Sequence, residues 1–214
     1  VTGNSYARLN SYFDLATHPD IYFGADNGNY LFKDGEVLRR KGFTQAQYTA
    51  ITDYLDENIS GKLALSDGRE NYMRETEGDL HDRLVWYYPL MNYVDSFHDE
   101  EAPAEVTKIT SLSTNDLPAV KKVLDQLEAA FDDLEAVTSG GSFMDIHHIE
   151  GGKGGSVGYL METFGLDASQ VMAFGDSLND LAMMKLANYS CAMEVADPDL
   201  VAHCNYQIGN NNDG

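Results

Sequence analysis

Asp176, Asn179 and Asp180 follow an apolar run in "VMAFGDSLND", residues 171–180. A strand of the type found in parallel sheets ends at Phe174, Gly175 permits a sharp turn, and Asp176 is left at the strand's carboxyl end. Open α/β sheets bind ligands there. Asn179 and Asp180 come three and four residues later, near the start of a helix, so the three polar side chains can converge on one spot. Carboxylates this close repel one another unless a cation is present, and oxygen donors without His or Cys favour magnesium. Helix capping would use the same residue types.

Two further positions could handle an anion. Lys153 lies between glycine pairs in "GGKGG" ahead of a helix, where an ammonium and free backbone N–H groups could meet a phosphate, or where a lysine could simply face solvent. Thr2 precedes Gly3 at the expected start of a helix, where its hydroxyl could hold a phosphate oxygen or act only as an N-cap.

These residues need an α/β frame. Residues 1–13 read as the last residue of a strand at Val1, a turn at Thr2-Gly3 and a helix. A short strand is expected at Ile21–Phe23, then turns at Asn27-Gly28 and Asp34-Gly35, the second closing a hairpin. From Gly42 the texture changes. Thr44 with Gln47 forms a capping box, and Tyr48, Ile51, Leu55 and Ile59 recur at helical spacing. "KLALSDG" and "ENYMRE" read as paired strands, and "EVTKITSLS" as a strand before a helix with Leu117, Val120, Leu124, Leu127 and Phe131 on one face. The stretch "LVWYYPLMNYVDSFHDEEAP" fits no single period. Two strands around "LEAVTSGGSFMDIHHI" precede the lysine turn, whose helix aligns Val157, Leu160, Met161 and Phe164. Asp197 and Pro198 start a last helix as N-cap and first position. The pattern is strand–helix at both ends with an α+β insert between them.

Thr-Gly opening a helix, a lone Lys in a glycine turn, then strand-GDSLND-helix, in this order, resembles motifs two, three and four of the haloacid dehalogenase (HAD) superfamily. More closely it resembles the Cof-type phosphatases, whose caps are class two, subtype B. The likeness runs from Val1 to Gly214 and includes Asn27-Gly28, "FMDI" before the lysine turn, "CAMEVA" at 191–196 and the terminal "NNNDG". It implies an α/β three-layer Rossmannoid core with a parallel sheet, residues 1–41 and 147–214, and an inserted α+β cap domain, residues 42–146. It also implies a magnesium-dependent phosphatase of small phosphorylated metabolites such as sugar phosphates. In that scheme an aspartate attacks phosphorus and water hydrolyses the aspartyl phosphate. Carried over, Lys153, Asp176 and Asp180 are catalytic, and Thr2, Gly3, Lys153 and Asn179 bind phosphate. Asp176 and Asp180 hold Mg2+, and Asn27 and Gly28 meet the substrate. Val195 and Gly152 depart from residues frequent in the family.

The family's first motif, a DxD pair on a central strand, is expected upstream of Thr2, and the chain as given begins at Val1. We read it as part of an ordinary phosphatase, clipped at both ends, with its nucleophile and its sheet's central strand contributed from upstream. The alternatives are a catalytically silent phosphate- or metal-binding protein and a phosphomutase of the same superfamily.

Composition narrows the partners. The 214 residues carry 14 Lys and Arg against 35 Asp and Glu, a net charge of −21, which repels nucleic acid and anionic lipid. No apolar run reaches the length of a membrane span. Cys191 and Cys204 suggest neither a disulfide framework nor a zinc site, and a reducing cytoplasm suits them. His147 and His148, adjacent on an expected strand, point to opposite faces. Trp86, Tyr87 and Tyr88 are expected in the core of the insert, Met183 and Met184 in helix packing, and Cys191 in the main core.

Overall fold

A computed structural model describes residues 1–13, 18, 20–74, 77–138 and 143–210. Helix α1 (Tyr6–Tyr12) begins at Ser5, whose hydroxyl accepts the Arg8 N–H. Thr2 is therefore neither the N-cap nor the start of this helix, and no strand ends at Val1. Instead the Thr2 hydroxyl accepts the Asn4 N–H at 3.2 Å and the Asn4 side-chain amide at 3.1 Å, which turns the chain and leaves capping to Ser5. The Thr2 N–H donates to the Gly24 carbonyl at 2.8 Å.

Strands β1 (Phe23–Ala25), β2 (Tyr30–Lys33) and β3 (Glu36–Arg40) form an antiparallel meander. The first starts two residues later than expected, because Ile21 is exposed and Phe23 is the first residue to pack under α1, beside Leu9 and Phe32. Asp26–Gly28 is a 3-10 turn with positive φ throughout, a conformation that Asp, Asn and Gly tolerate best. Asp34 and Gly35, also at positive φ, close the expected hairpin.

The middle of the chain contains β4 (Phe43–Thr44), α2 (Gln45–Asn58), β5 (Gly61–Ser66), β6 (Asn71–Arg74), α3 (Asp79–Tyr87) and β7 (Met91–Val94). It continues with β8 (Glu105–Val106), β9 (Lys108–Ser113), α4 (Leu117–Ala130), β10 (Leu134–Thr138) and β11 (Phe143–His148). Six of these strands form one sheet in the order β10-β11-β9-β5-β6-β7, parallel only between β6 and β7. The stretch without a clear period is α3, β7 and irregular chain. The Thr44–Gln47 capping box is present, and α2 and α4 bury Tyr48, Ile51, Leu55, Leu124 and Leu127 against Ile109, Met144 and Ile146 of the sheet. On the opposite face α3 covers only one end, packing Leu84 and Tyr88 on Ala64 and Leu112. The other end of that face is polar: Ser66, Lys108, Thr110, Asp145 and His147 all lie there, buried, with half-buried Glu135 beside them.

Trp86 and Tyr87 are not core residues. Trp86 is 61% exposed, and Arg8 of α1 stacks on its indole at 4.5 Å and donates to its carbonyl; only Tyr88 is buried. An arginine on the adjacent helix covers the indole face through a cation–π contact.

The last third holds α5 (Gly152–Phe164), β12 (Met172–Gly175), α6 (Leu181–Met184), β13 (Tyr189–Ala192), α7 (Pro198–Val201) and β14 (Tyr206–Gln207). Its three strands are parallel, in the order β12-β13-β14. Ala173 on one face packs against Met183, Met184 and Leu200, with Val157 of α5 at the margin. The opposite face carries Met172, Phe174, Tyr189 and Tyr206, each about half exposed. The apolar stripe of α5 is likewise half-buried at Val157, Leu160 and Met161 and exposed at Phe164; its buried residues are Gly152, Lys153, Gly154 and Ser156. Residues 211–214 of the terminal "NNNDG" and the turn at 139–142 lie outside the described residues.

Candidate active site

Strand β12 ends at Gly175, where a Cβ would come within 2.6 Å of the Cβ and Oδ2 of Asp180. Only glycine lets the loop fold back this closely. Asp180 Oδ2 then accepts the N–H groups of Asp176 at 3.0 Å and Ser177 at 3.2 Å, while Oδ1 accepts Lys153 Nζ at 2.5 Å. Lys153 stands in the first turn of α5 and is buried. Its neighbour Gly154 explains the approach: a Cβ there would sit 2.7 Å from Ala182 Cβ and 3.0 Å from the Ala182 backbone carbon, so α5 meets α6 closely enough to join Lys153 to Asp180. The lysine is no loop residue facing solvent.

Asp176 is exposed and lines a cavity of about 280 Å3 together with Val1, Thr2, Lys153 and Asp180. Four expected residues thus share one cavity. A second cavity of about 330 Å3 lies on the other side of Lys153, between Asn179, Lys185 and the six-stranded sheet's Glu135 and His147. Burial pushes the His147 imidazole below the ordinary histidine range, opposed by the Glu135 carboxylate 3.8 Å away. His148 turns to the other face beside Phe43, as alternation along the strand requires.

Asn179, Asn27 and Gly3 meet one another. Asn179 donates its amide to Asn27 Oδ1 at 3.4 Å, and its own Oδ1 is buried without a protein partner among the described residues. Asn27 is itself buried and donates to Asp145 Oδ2 at 3.0 Å, so its side chain is engaged at both ends. Gly3 lies against it; a Cβ on Gly3 would be 3.0 Å from Asn27 Oδ1. Gly28 fills a packing position under α5, where its carbonyl accepts the Ser156 hydroxyl at 2.6 Å and a Cβ would strike the Gly152 carbonyl at 2.5 Å.

Sequence reading passed over the residues that the six-stranded sheet contributes. Lys108 donates to the Gly3 carbonyl at 2.6 Å and to the Tyr88 hydroxyl at 3.2 Å, and stands 3.6 Å from Asp145. Asp26 Oδ2 accepts the hydroxyls of Ser66 and Thr107. Burial alone would lower the Lys108 ammonium, but Asp145, Tyr88 and Asp26 carry it above the ordinary lysine value. Asp26 moves up through burial, with Lys108 opposing. The signal for this cluster was local alternation: Lys108 and Thr110 flank core Ile109, and Asp145 and His147 alternate with core Met144 and Ile146.

The donors suit a hard cation at Asp176. Its carboxylate stands free at the cavity, whereas both oxygens of Asp180 are occupied by the lysine and the loop. Among the described residues no group of three His, Cys, Asp or Glu side chains converges as a cage. Magnesium needs none, since it keeps several waters and binds through one or two carboxylates and substrate phosphate oxygens.

The sequence model of the haloacid dehalogenase-like hydrolases matches residues 1–214. A curated Escherichia coli K12 protein, 5-amino-6-(5-phospho-D-ribitylamino)uracil phosphatase YbjI, is 27% identical over 99% of this chain and 77% of its own length. Among solved structures, SMU.1108c from Streptococcus mutans UA159 superposes with a TM-score of 0.89 at 24% identity, covering 100% of this chain and 80% of that one. The HAD subclass IIB sugar phosphatase BT4131 gives 0.81 at 20% identity, again covering 100% of this chain and 80% of that one. Fold and sequence agree, and the chain belongs to the haloacid dehalogenase-like hydrolases.

Proposed function

We propose that this protein is a magnesium-dependent phosphatase of small phosphorylated metabolites. The observation that carries the reading is the convergence of Thr2, Lys153, Asp176 and Asp180 on one cavity, with Lys153 and Asp180 bonded at 2.5 Å. Residues 1–41 and 147–214 form the core in this proposal, and residues 42–146 form the cap domain that closes over the substrate and excludes water. The cytoplasm is its proposed compartment. No helix among the described residues is long and apolar enough to cross a membrane.

Each residue then has a task. Thr2, through its hydroxyl proton, and the Gly3 N–H bind phosphate oxygens. Lys153, held in place by Asp180, offsets charge on the phosphoryl group and on the attacking carboxylate. Asp176 would hold the cation, which would supply charge neutralisation for the phosphate. The attacking aspartate belongs to a strand ahead of Thr2, leading into Val1, which packs against Gly24 and lines the cavity with Asp176. It displaces the alcohol at phosphorus while the second aspartate of the same upstream pair protonates the leaving oxygen; that aspartate then takes a proton from the water that hydrolyses the aspartyl phosphate to free phosphate. The cavity beyond Lys153, with Glu135, His147 and Lys185, receives the leaving group.

The test is phosphate release from a panel of phosphate esters by the protein including its upstream strand. The panel includes the ribitylaminouracil phosphate for which the E. coli relative is named and several sugar phosphates. Activity should vanish with chelator, return with Mg2+, and fall by at least about 100-fold in Lys153→Ala and Asp176→Ala, as expected for loss of electrostatic stabilisation. Near-parent rates in either variant would sink the assignment.

A further inference from the structure

The buried ion pair Lys108–Asp145 belongs to the six-stranded sheet, yet each partner also bonds a segment outside it. Lys108 reaches the Gly3 carbonyl at 2.6 Å, and Asp145 accepts the Asn27 amide at 3.0 Å. Both segments belong to the phosphate-binding end of the molecule: Gly3 follows Thr2, and Asn27 accepts the Asn179 amide through Oδ1 and donates its backbone N–H to the Thr2 carbonyl at 2.9 Å. The pair is in turn fixed by its own sheet and helix. Thr110 donates to Asp145 Oδ1 at 2.7 Å, and the Tyr88 hydroxyl contacts both Lys108 and Thr110.

Desolvating two charges is costly, and apolar residues of similar volume would join two layers at least as stably. What apolar residues could not do is hold a carbonyl and an amide at defined positions. We propose that Lys108 and Asp145 are positioning residues, a clamp that aligns the Thr2–Gly3 turn and Asn27 for phosphate only while the six-stranded sheet is seated on them. The clamp rests on the phosphate-binding reading of Thr2. Neither residue touches phosphate or metal in this scheme; they act through Gly3 and Asn27.

The experiment is calorimetric titration of the protein including its upstream strand with inorganic phosphate in the presence of Mg2+, and with Mg2+ alone. The double variant Lys108→Met/Asp145→Leu removes both charges of the pair together, leaving Asp26 held by the Ser66 and Thr107 hydroxyls. Its phosphate dissociation constant should rise at least ten-fold, while its Mg2+ constant, set at Asp176, stays within two-fold of the parent. Lys108→Met/Asp145→Asn keeps an acceptor for the Asn27 amide and should recover part of the affinity. A merely structural pair would shift the melting temperature and leave the phosphate constant alone, which would overturn the clamp. Should the double variant not fold, Asn27→Gly cuts the Asp145 arm while tolerating the positive φ of 56° at that position. An unchanged phosphate constant in Asn27→Gly would overturn the clamp too. Lys153→Ala separates the two readings. If it loses phosphate and the clamp variants do not, the clamp alone fails; if the parent binds none, or Lys153→Ala binds as the parent does, the functional reading falls and the clamp with it.

Discussion

Asp180 ties the loop to α5. Its two oxygens take three donors, Lys153 and the N–H groups of Asp176 and Ser177, all within 3.2 Å. Removing it leaves a buried ammonium unpaired, so Asp180→Ala should cost about 3–5 kcal/mol in chemical denaturation, as broken buried pairs do. Asp176→Ala, at an exposed carboxylate, should cost less than about 0.5 kcal/mol. The chemistry of this loop was legible in "GDSLND", but the division of labour was not. Spacing brings Asp176 and Asp180 together without saying which one the lysine would claim. His147 carries a pH signature. Because burial holds its folded-state pKa below the unfolded value, the unfolded chain binds the proton first, and stability is lost as pH falls through about 6.5. In His147→Gln the drop in melting temperature between pH 7.5 and 5.5 should shrink by about 2–4 °C for each kcal/mol of proton linkage removed.

At the scale of elements, glycines decide where the site forms. Gly175→Ala places a methyl 2.6 Å from Asp180 Cβ and Oδ2, so it should destabilise by about 1–3 kcal/mol and lower Mg2+ affinity at Asp176 together. Calorimetry and thermal unfolding on one sample would check both. Helix α2 was fully readable, because its capping box and three-to-four spacing are local facts of sequence. Helix α1 was misread at its start because Thr2, also a capping residue type, spends its hydroxyl on Asn4. The segment from Leu84 to Pro103 resisted reading because α3 covers half a sheet face and leaves Trp86 and Tyr87 outside, so its aromatic residues follow no single period.

Over the whole molecule, the six-stranded sheet meets the Thr2–Gly3 and Asp26–Gly28 turns through polar groups. The parallel sheet and its strand–loop–helix site match what the motif order led us to expect. Alternation marks Lys108 and Asp145 as polar positions in core strands, but which partners they, Ser66 and Thr107 would meet had no local mark, since each contact joins residues at least 40 positions apart. The apolar face of Met172, Phe174, Tyr189 and Tyr206 has its own consequence in solution. At low salt the net charge of −21 keeps copies apart; at about 1 M salt, where the screening length is about 3 Å, that face should drive association. Light scattering should rise with salt for the parent and less for Met172→Lys/Tyr189→Lys.

Trp86 is the chain's single tryptophan, and it sits under the Arg8 guanidinium where α3 of the six-stranded sheet's layer touches α1. The protein therefore carries its own optical gauge: one indole, with no background from others, reports on whether the two layers are in contact. Any ligand that tightens or loosens that contact writes its binding curve in intrinsic fluorescence, and Arg8→Ala supplies the unstacked reference.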